Sequence, residues 1–124
     1  MSSGFERRAC PRFDAQVPLR ISGTGFTLAA DTKNISCAGL YCRVGCFIPV
    51  MTKLALTMFI PLVVDGQKVE KQIWCTAVVV RIEPEEERSS SCDYHVGFFF
   101  SAIENRDKDI IAQYIQQSFF ASSN

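Results

Sequence analysis

A chain of 124 residues is long enough for one domain with a substantial core and too short for two. Hydrophobic residues make up 48% and charged residues 21%, which is typical of a globular rather than a disordered protein. Thirteen Lys and Arg residues balance thirteen Asp and Glu residues, so the chain lacks the basic surplus with which proteins bind long nucleic acid.

Alternation of apolar and polar residues, the pattern of half-buried strands, runs along most of the chain. It predicts strands near residues 17–22, 26–35 and 40–44, and a Gly-Thr-Gly turn follows the first of them. Gly45 and Pro49 interrupt the pattern after the third strand.

The clearest alternation covers residues 54–60. An Asp-Gly dipeptide follows at 65–66, which is favoured in type I′ hairpin turns because both central residues need positive φ. The return strand is predicted at 67–82 and a last strand at 94–100, with a charged, serine-rich loop between them.

The C-terminal part changes to helical spacing, with Asn105 as a candidate N-cap. Six antiparallel strands and one closing helix predict a mainly β fold, a six-stranded antiparallel Greek-key β-barrel with a C-terminal α-helix. The expected organisation is a flexible N-terminal arm at 1–16, the barrel at 17–103 and the helix at 104–120. The helix would close one mouth of the barrel or pack on its flank.

A first polar motif is the run Arg-Arg-Ala-Cys-Pro-Arg at residues 7–12, in which Arg8 and Arg12 stand four apart. A guanidinium group can bind a phosphate or the O6/N7 edge of guanine through two parallel hydrogen bonds, and its face can stack on a purine. Pro11 disfavours helix at the residue before it, so we expect the arginines on a short extended arm. A local basic cluster in a chain of zero net charge favours a small anionic ligand over a polynucleotide.

A second motif, Asn-x-Ser-x-x-Gly, spans residues 34–39 at the end of a predicted strand. The Asn34 amide can pair with a base edge, and the Ser36 hydroxyl can donate to a phosphate oxygen or a purine edge. Gly39 is expected to permit a backbone conformation closed to other residues and to let a ligand approach closely.

With these two motifs the chain resembles the PilZ domain, a bacterial receptor domain for the second messenger cyclic di-GMP. The resemblance covers about residues 6–120 and includes the Val78–Arg81 and Val96–Phe100 strands. It implies a PilZ-like barrel and a role in signalling that regulates motility or biofilm formation. It also implies cyclic di-GMP as the ligand, with no further cofactor.

The resemblance also implies residue roles. Arg8 and Arg12 should bind the phosphates and guanine faces of the ligand, and Arg7 matches an extra arginine of members that bind a stacked pair of ligand molecules. The opposing wall should be formed by three residues of the second motif: Asn34, Ser36 and Gly39. Asn34 departs from the commoner Asp, whose two carboxylate oxygens could face the guanine N1–H and N2–H donors.

The cysteines, the histidine and the remaining sequence patterns do not predict a metal site or an active site. Three of the six cysteines (Cys10, Cys37, Cys42, Cys46, Cys75 and Cys92) cluster at 37–46, but no C-x-x-C pair is present, so core filling is favoured over a metal site. His95 is the only histidine and is expected on a strand surface. With no P-loop, nucleophile elbow or coupled acid–base pair apparent, we predict no enzyme, no catalytic residues and no metal.

The N-terminus has no apolar stretch of the kind that directs secretion, and no apolar run approaches the length of a membrane span. We therefore expect a cytoplasmic protein with reduced thiols and no membrane span.

Three functions compete. The first is a cyclic di-GMP receptor that orders its arginine arm on ligand binding and signals to an unidentified partner protein. The second is a PilZ-like adapter that binds no ligand and acts through protein contacts, for instance in pilus assembly or motility. The third is a small barrel for single-stranded nucleic acid, which would need exposed aromatic residues along a basic groove.

Overall fold

A computed structural model describes residues 11–88 and 93–122 of the chain. They form seven strands and one helix: β1 (Phe13–Asp14), β2 (Pro18–Gly23), β3 (Phe26–Ile35), β4 (Gly39–Val44), β5 (Lys53–Val64), β6 (Gln67–Glu83), β7 (Tyr94–Ala102) and α1 (Asn105–Ser122).

Two antiparallel units of three strands, β2-β3-β4 and β5-β6-β7, form the barrel. β2 pairs with β5 and β4 pairs with β7, so the six strands close into a ring. The predicted antiparallel barrel with a C-terminal helix is therefore confirmed. The structure adds β1, which lies inside the segment expected to be the arm and pairs with the end of β3.

Strict alternation along the strands places one side-chain set inside the barrel. β5 is the clearest case, because every second residue from Leu54 to Leu62 is buried. The turn after it has positive φ at Asp65 (52°) and Gly66 (79°), as the Asp-Gly dipeptide predicts. The largest fully buried side chains include Ile21, Ile35, Leu40, Leu56, Met58, Ile60, Ile73, Val79 and Val96.

The helix packs against β5 and β6 through Ile111 and Ile115, which are fully buried. Near its C-terminal end, the Gln117 side chain bonds both backbone groups of Val63. The amide nitrogen donates to the Val63 carbonyl, and the Val63 N–H donates to the amide oxygen, each at 2.9 Å. Because β2 pairs with β5 only as far as Met58, this contact lies on a part of β5 that β2 does not reach.

The cysteines only partly follow expectation. Cys42 and Cys75 are buried in the core with free thiols, and Cys46 is exposed with a free thiol. Cys37 is disulfide-bonded, which corrects the expectation of reduced thiols at that position. In the described part of the chain, no helix has the length and apolarity needed to cross a membrane.

Candidate functional site

The two polar motifs meet in the structure through Arg12 and Asn34. The Arg12 guanidinium donates a hydrogen bond from Nη1 to the side-chain oxygen of Asn34, at the exposed outer end of β3. Arg12 immediately precedes β1, whose pairing with β3 brings the arginine to the second motif. This hydrogen bond holds the Arg12 side chain in place. Because the acceptor is an uncharged amide, the contact does not neutralise the positive charge of Arg12.

Asn34 begins a row of directly paired residues that crosses the outer face of the sheet. Asp14 of β1 and Tyr41 of β4 are both in register with Asn34, Gly97 of β7 is in register with Tyr41, and Arg81 of β6 is in register with Gly97. Directly paired residues project from the same face of a sheet. The row therefore spans five strands beside the second motif.

Irregularities in two strands help to shape this row. A register shift in β3 lies between Thr32 and Asn34, and another in β6 lies between Val79 and Arg81. A bulge of this kind bends the strand and redirects the side chains beside it. Val80 and Arg81 are consequently both exposed, although they are consecutive residues of one strand.

The Tyr41 ring lies across Gly97. A Cβ built at Gly97 would lie at contact distance, 3.4 Å, from both Tyr41 Cδ1 and Arg81 Cβ, so the ring packs directly over this position. The Tyr41 hydroxyl donates to Glu83 Oε1 at 3.1 Å, and the His95 ring lies nearly parallel to it, with centroids 6.3 Å apart. Desolvation by burial and then the Glu83 hydrogen bond raise the pKa of Tyr41, which keeps the hydroxyl protonated as a donor.

Ser36 is part of a tight turn. Its Oγ accepts hydrogen bonds from the backbone N–H groups of Ala38 at 3.1 Å and Gly39 at 3.3 Å, and it lies 3.4 Å from the Gly39 carbonyl oxygen, to which it can donate. The side chain is buried. In this state the hydroxyl holds the turn between β3 and β4, so its visible role is to shape the site.

Gly39 is required for strand packing rather than for an unusual backbone conformation. Its φ is not among the positive values of the described glycines, which occur at Gly25 and Gly66. A Cβ at Gly39 would collide with the carbonyl oxygen of Phe98, its neighbour on β7. The expected unusual backbone conformation is therefore wrong, and the close approach of β4 to β7 is what requires a glycine here.

A cleft of about 590 Å³ lies over β1, β3 and β4, and its lining includes Asp14, the cross-strand partner of Asn34. Its charged lining consists of Asp14, Asp31, Lys33 and Arg43. Arg43 also forms an ion pair with Asp93, with 3.6 Å between Arg43 Nε and Asp93 Oδ2. The cleft is large enough for a small organic ligand.

Of the predicted site residues, the structure brings together Arg12, Asn34, Ser36 and Gly39, while Arg7 and Arg8 lie outside the described residues. Sequence reasoning missed Asp14, Tyr41 and Arg81. Strand alternation carries a signal for two of them: Asp14 follows Arg12 by two residues, and Tyr41 follows Gly39 by two. Arg81 is brought in by the β6–β7 pairing.

No group of three or more His, Cys, Asp or Glu side chains within 11–88 and 93–122 is arranged to hold a metal ion. His95 lies on β7 with a half-buried ring, in register with Arg43 and Glu83.

Solved structures share the fold of this chain. One is a Bacillus subtilis inhibitor of motility (MotI/DgrA), which aligns over 95% of this chain with a TM-score of 0.74 and 21% identity. The chain spans only 54% of that protein. Another is a PilZ domain of CeSA from a cellulose-synthesizing bacterium, which aligns over 88% of this chain and 98% of its own length with a TM-score of 0.54 and 11% identity.

Comparison with curated protein sequences finds no match. A family model does match: the PilZ domain model covers residues 6–117, which include the barrel, both polar motifs and most of the helix. This chain belongs to the PilZ domain family.

Proposed function

We propose that this protein is a cyclic di-GMP receptor, with Arg7, Arg8 and Arg12 on one side of the ligand and Asn34, Ser36 and Gly39 on the other. PilZ domains are receptor or adapter domains rather than enzymes, and cyclic di-GMP is the ligand of the family. The observation that carries the proposal is the Arg12–Asn34 hydrogen bond, because it joins the two motifs through residues that are 22 positions apart.

Each part of the site has a task. Arg12, with Arg8 and Arg7, binds phosphate oxygens and guanine faces as a planar donor fork. Asn34 positions Arg12, and the Ser36 turn holds Asn34 and the start of β4 in place. Ligand binding fixes the N-terminal arginine segment against the barrel, and the surface formed in this way is what an unidentified partner protein recognises.

Calorimetric titration of the purified protein with cyclic di-GMP tests the proposal. We expect binding in the micromolar range or tighter, and a loss of affinity in Arg8→Ala and Arg12→Ala. Arg20→Ala is the matched control, because the Arg20 guanidinium instead lies over the Phe59 ring at 5.6 Å. No heat of binding by the wild-type protein, or equal affinity in Arg12→Ala and Arg20→Ala, would contradict receptor function.

A second function is an adapter that works through protein contacts without ligand. It is favoured by the outer face of β6 and β7, where Trp74, Val80 and Phe99 are each more than half exposed. If the protein is such an adapter, calorimetric titration will show no binding of cyclic di-GMP. Phe99→Ser will nevertheless give the same motility phenotype as deletion of the gene. Binding of cyclic di-GMP by the wild-type protein would favour the receptor function over the adapter function.

A further inference from the structure

Asn34 offers a guanine base only one acceptor atom. Guanine presents two adjacent donors, N1–H and N2–H, which a carboxylate can face with its two oxygens. The single acceptor oxygen of Asn34 already accepts from Arg12, and the other end of the amide is itself a donor. A carboxylate beside Asn34 would therefore supply acceptors for both guanine donors while Asn34 holds Arg12.

Asp14 stands where such a carboxylate is needed. It is the direct cross-strand partner of Asn34 in the β1–β3 pair, so the two side chains share the outer face with Cβ atoms about 4.5–5.5 Å apart. Phe13 and Ile35, the other residues of this pair, project to the opposite face, where Ile35 is fully buried.

The Asp14 carboxylate is exposed, and none of the three ion pairs within 11–88 and 93–122 involves it. It lines the cleft of about 590 Å³ over β1, β3 and β4, together with the basic side chains of Lys33 and Arg43. The carboxylate thus lines a space large enough for a purine, and Asp31 is the other acidic residue of its lining.

We propose that Asp14 reads the guanine base of the ligand by accepting hydrogen bonds from N1–H and N2–H, in place of the carboxylate that position 34 lacks. This inference rests on the proposed function as a cyclic di-GMP receptor. The two residues then have different roles: Arg12 binds phosphate, and Asp14 selects the base. Adenine presents an acceptor at N1 to the same carboxylate, so Asp14 disfavours cyclic di-AMP.

The test measures the affinity of the wild type, Asp14→Asn and Asp31→Asn for cyclic di-GMP and for cyclic di-AMP. Asp14→Asn should weaken cyclic di-GMP binding about 5- to 150-fold and reduce the preference over cyclic di-AMP by a similar factor. Asp31→Asn removes the same charge from the same cleft. Because it lowers the negative charge near an anionic ligand, it should leave cyclic di-GMP binding unchanged or slightly tighter.

Thermal unfolding of the unliganded variants controls for folding, and Asp14→Asn should match the wild type because the side chain is exposed. If the wild type binds cyclic di-GMP and Asp14→Asn binds it with unchanged affinity and selectivity, the role of Asp14 is overturned while the receptor function stands. Equal losses in Asp14→Asn and Asp31→Asn would also overturn direct reading. If the wild type binds no cyclic di-GMP, the receptor function itself fails.

Discussion

The backbone of Gly39 on β4 lies so close to the carbonyl group of Phe98 on β7 that no side chain fits between them. The last residue of the Asn-x-Ser-x-x-Gly motif is therefore part of the barrel's closure. A residue that looks like part of a ligand site in the sequence also determines whether two strands can pair.

Gly39→Ala should destabilise the unliganded protein by about 1–3 kcal/mol or more, because the added methyl group meets backbone rather than a movable side chain. Urea unfolding measures the change. Gly45→Ala is the control, since a Cβ there meets nothing within 4 Å, and its effect should stay within about 0.5 kcal/mol. Equal stability of the two variants would contradict this role for Gly39.

Arg12 and Asn34 should act as a unit in ligand binding, because one side chain positions the other. Arg12→Ala and Asn34→Ala should each weaken cyclic di-GMP binding, and the double variant should lose less than the sum of the two. The expected coupling is about 0.5–3 kcal/mol, measured by calorimetry in a double-mutant cycle.

The control cycle pairs Arg12→Ala with Arg20→Ala, because the Arg20 guanidinium has its own contact with Phe59. These two changes should be additive within about 0.5 kcal/mol. Additive losses for Arg12 and Asn34 as well would mean that their hydrogen bond plays no part in binding.

Ser36→Ala should lower stability even without ligand. It removes the acceptor of the Ala38 and Gly39 N–H groups in a buried turn, at a cost of about 1–3 kcal/mol. Thermal or urea unfolding of the unliganded protein measures the loss. Ser101→Ala is the control, since its exposed hydroxyl makes a single contact, 3.3 Å from the Thr76 carbonyl oxygen. An unliganded Ser36→Ala protein as stable as this control would contradict the role of the Ser36 hydroxyl in holding the turn.

The two buried thiols predict a loss of stability at alkaline pH. Burial raises the pKa of Cys42 to about 12, and burial together with the charge of Asp107 raises the pKa of Cys75 to about 12. Below about pH 9 the thiols of Cys42 and Cys75 are protonated in both the native and the unfolded state. Between about pH 9 and 12 the unfolded chain releases these protons while the native state retains them, so the free energy of unfolding falls as pH rises.

The free energy of unfolding falls by at most about 1.4 kcal/mol per pH unit for each thiol. Urea unfolding from pH 8 to 11 under reducing conditions should show a smaller loss in the double variant Cys42→Ala/Cys75→Ala than in the wild type. Cys46→Ala, at an exposed position, should keep the wild-type slope. Identical slopes in all three proteins would contradict the contribution of the buried thiols.

Much of the fold could be predicted from the sequence because its signals are local. The alternation from Leu54 to Leu62 and the dipeptide at 65–66 determine the β5–β6 hairpin without reference to the rest of the chain. The stripe containing Ile111 and Ile115 likewise predicts the helix and its buried face.

The site could be predicted only in part, because it is built from strand register. Asn34 belongs to a recognisable motif, but the register that places Asp14 and Tyr41 directly beside it follows only from the pairing of β1 and β4 with β3. The two-residue β1 is too short to show a period of its own. The position of Arg81 also depends on a bulge in β6, for which the alternation of that strand gives no warning.

The Gln117 side chain occupies both backbone groups that Val63 presents on the side of β5 away from β6. An unpaired strand edge is a template on which a second chain can add its own strand. By satisfying this donor and this acceptor from within the molecule, the helix makes that stretch unavailable for sheet extension. The same glutamine that fastens the helix to the barrel thereby blocks the addition of a further strand at this point of the longest hairpin.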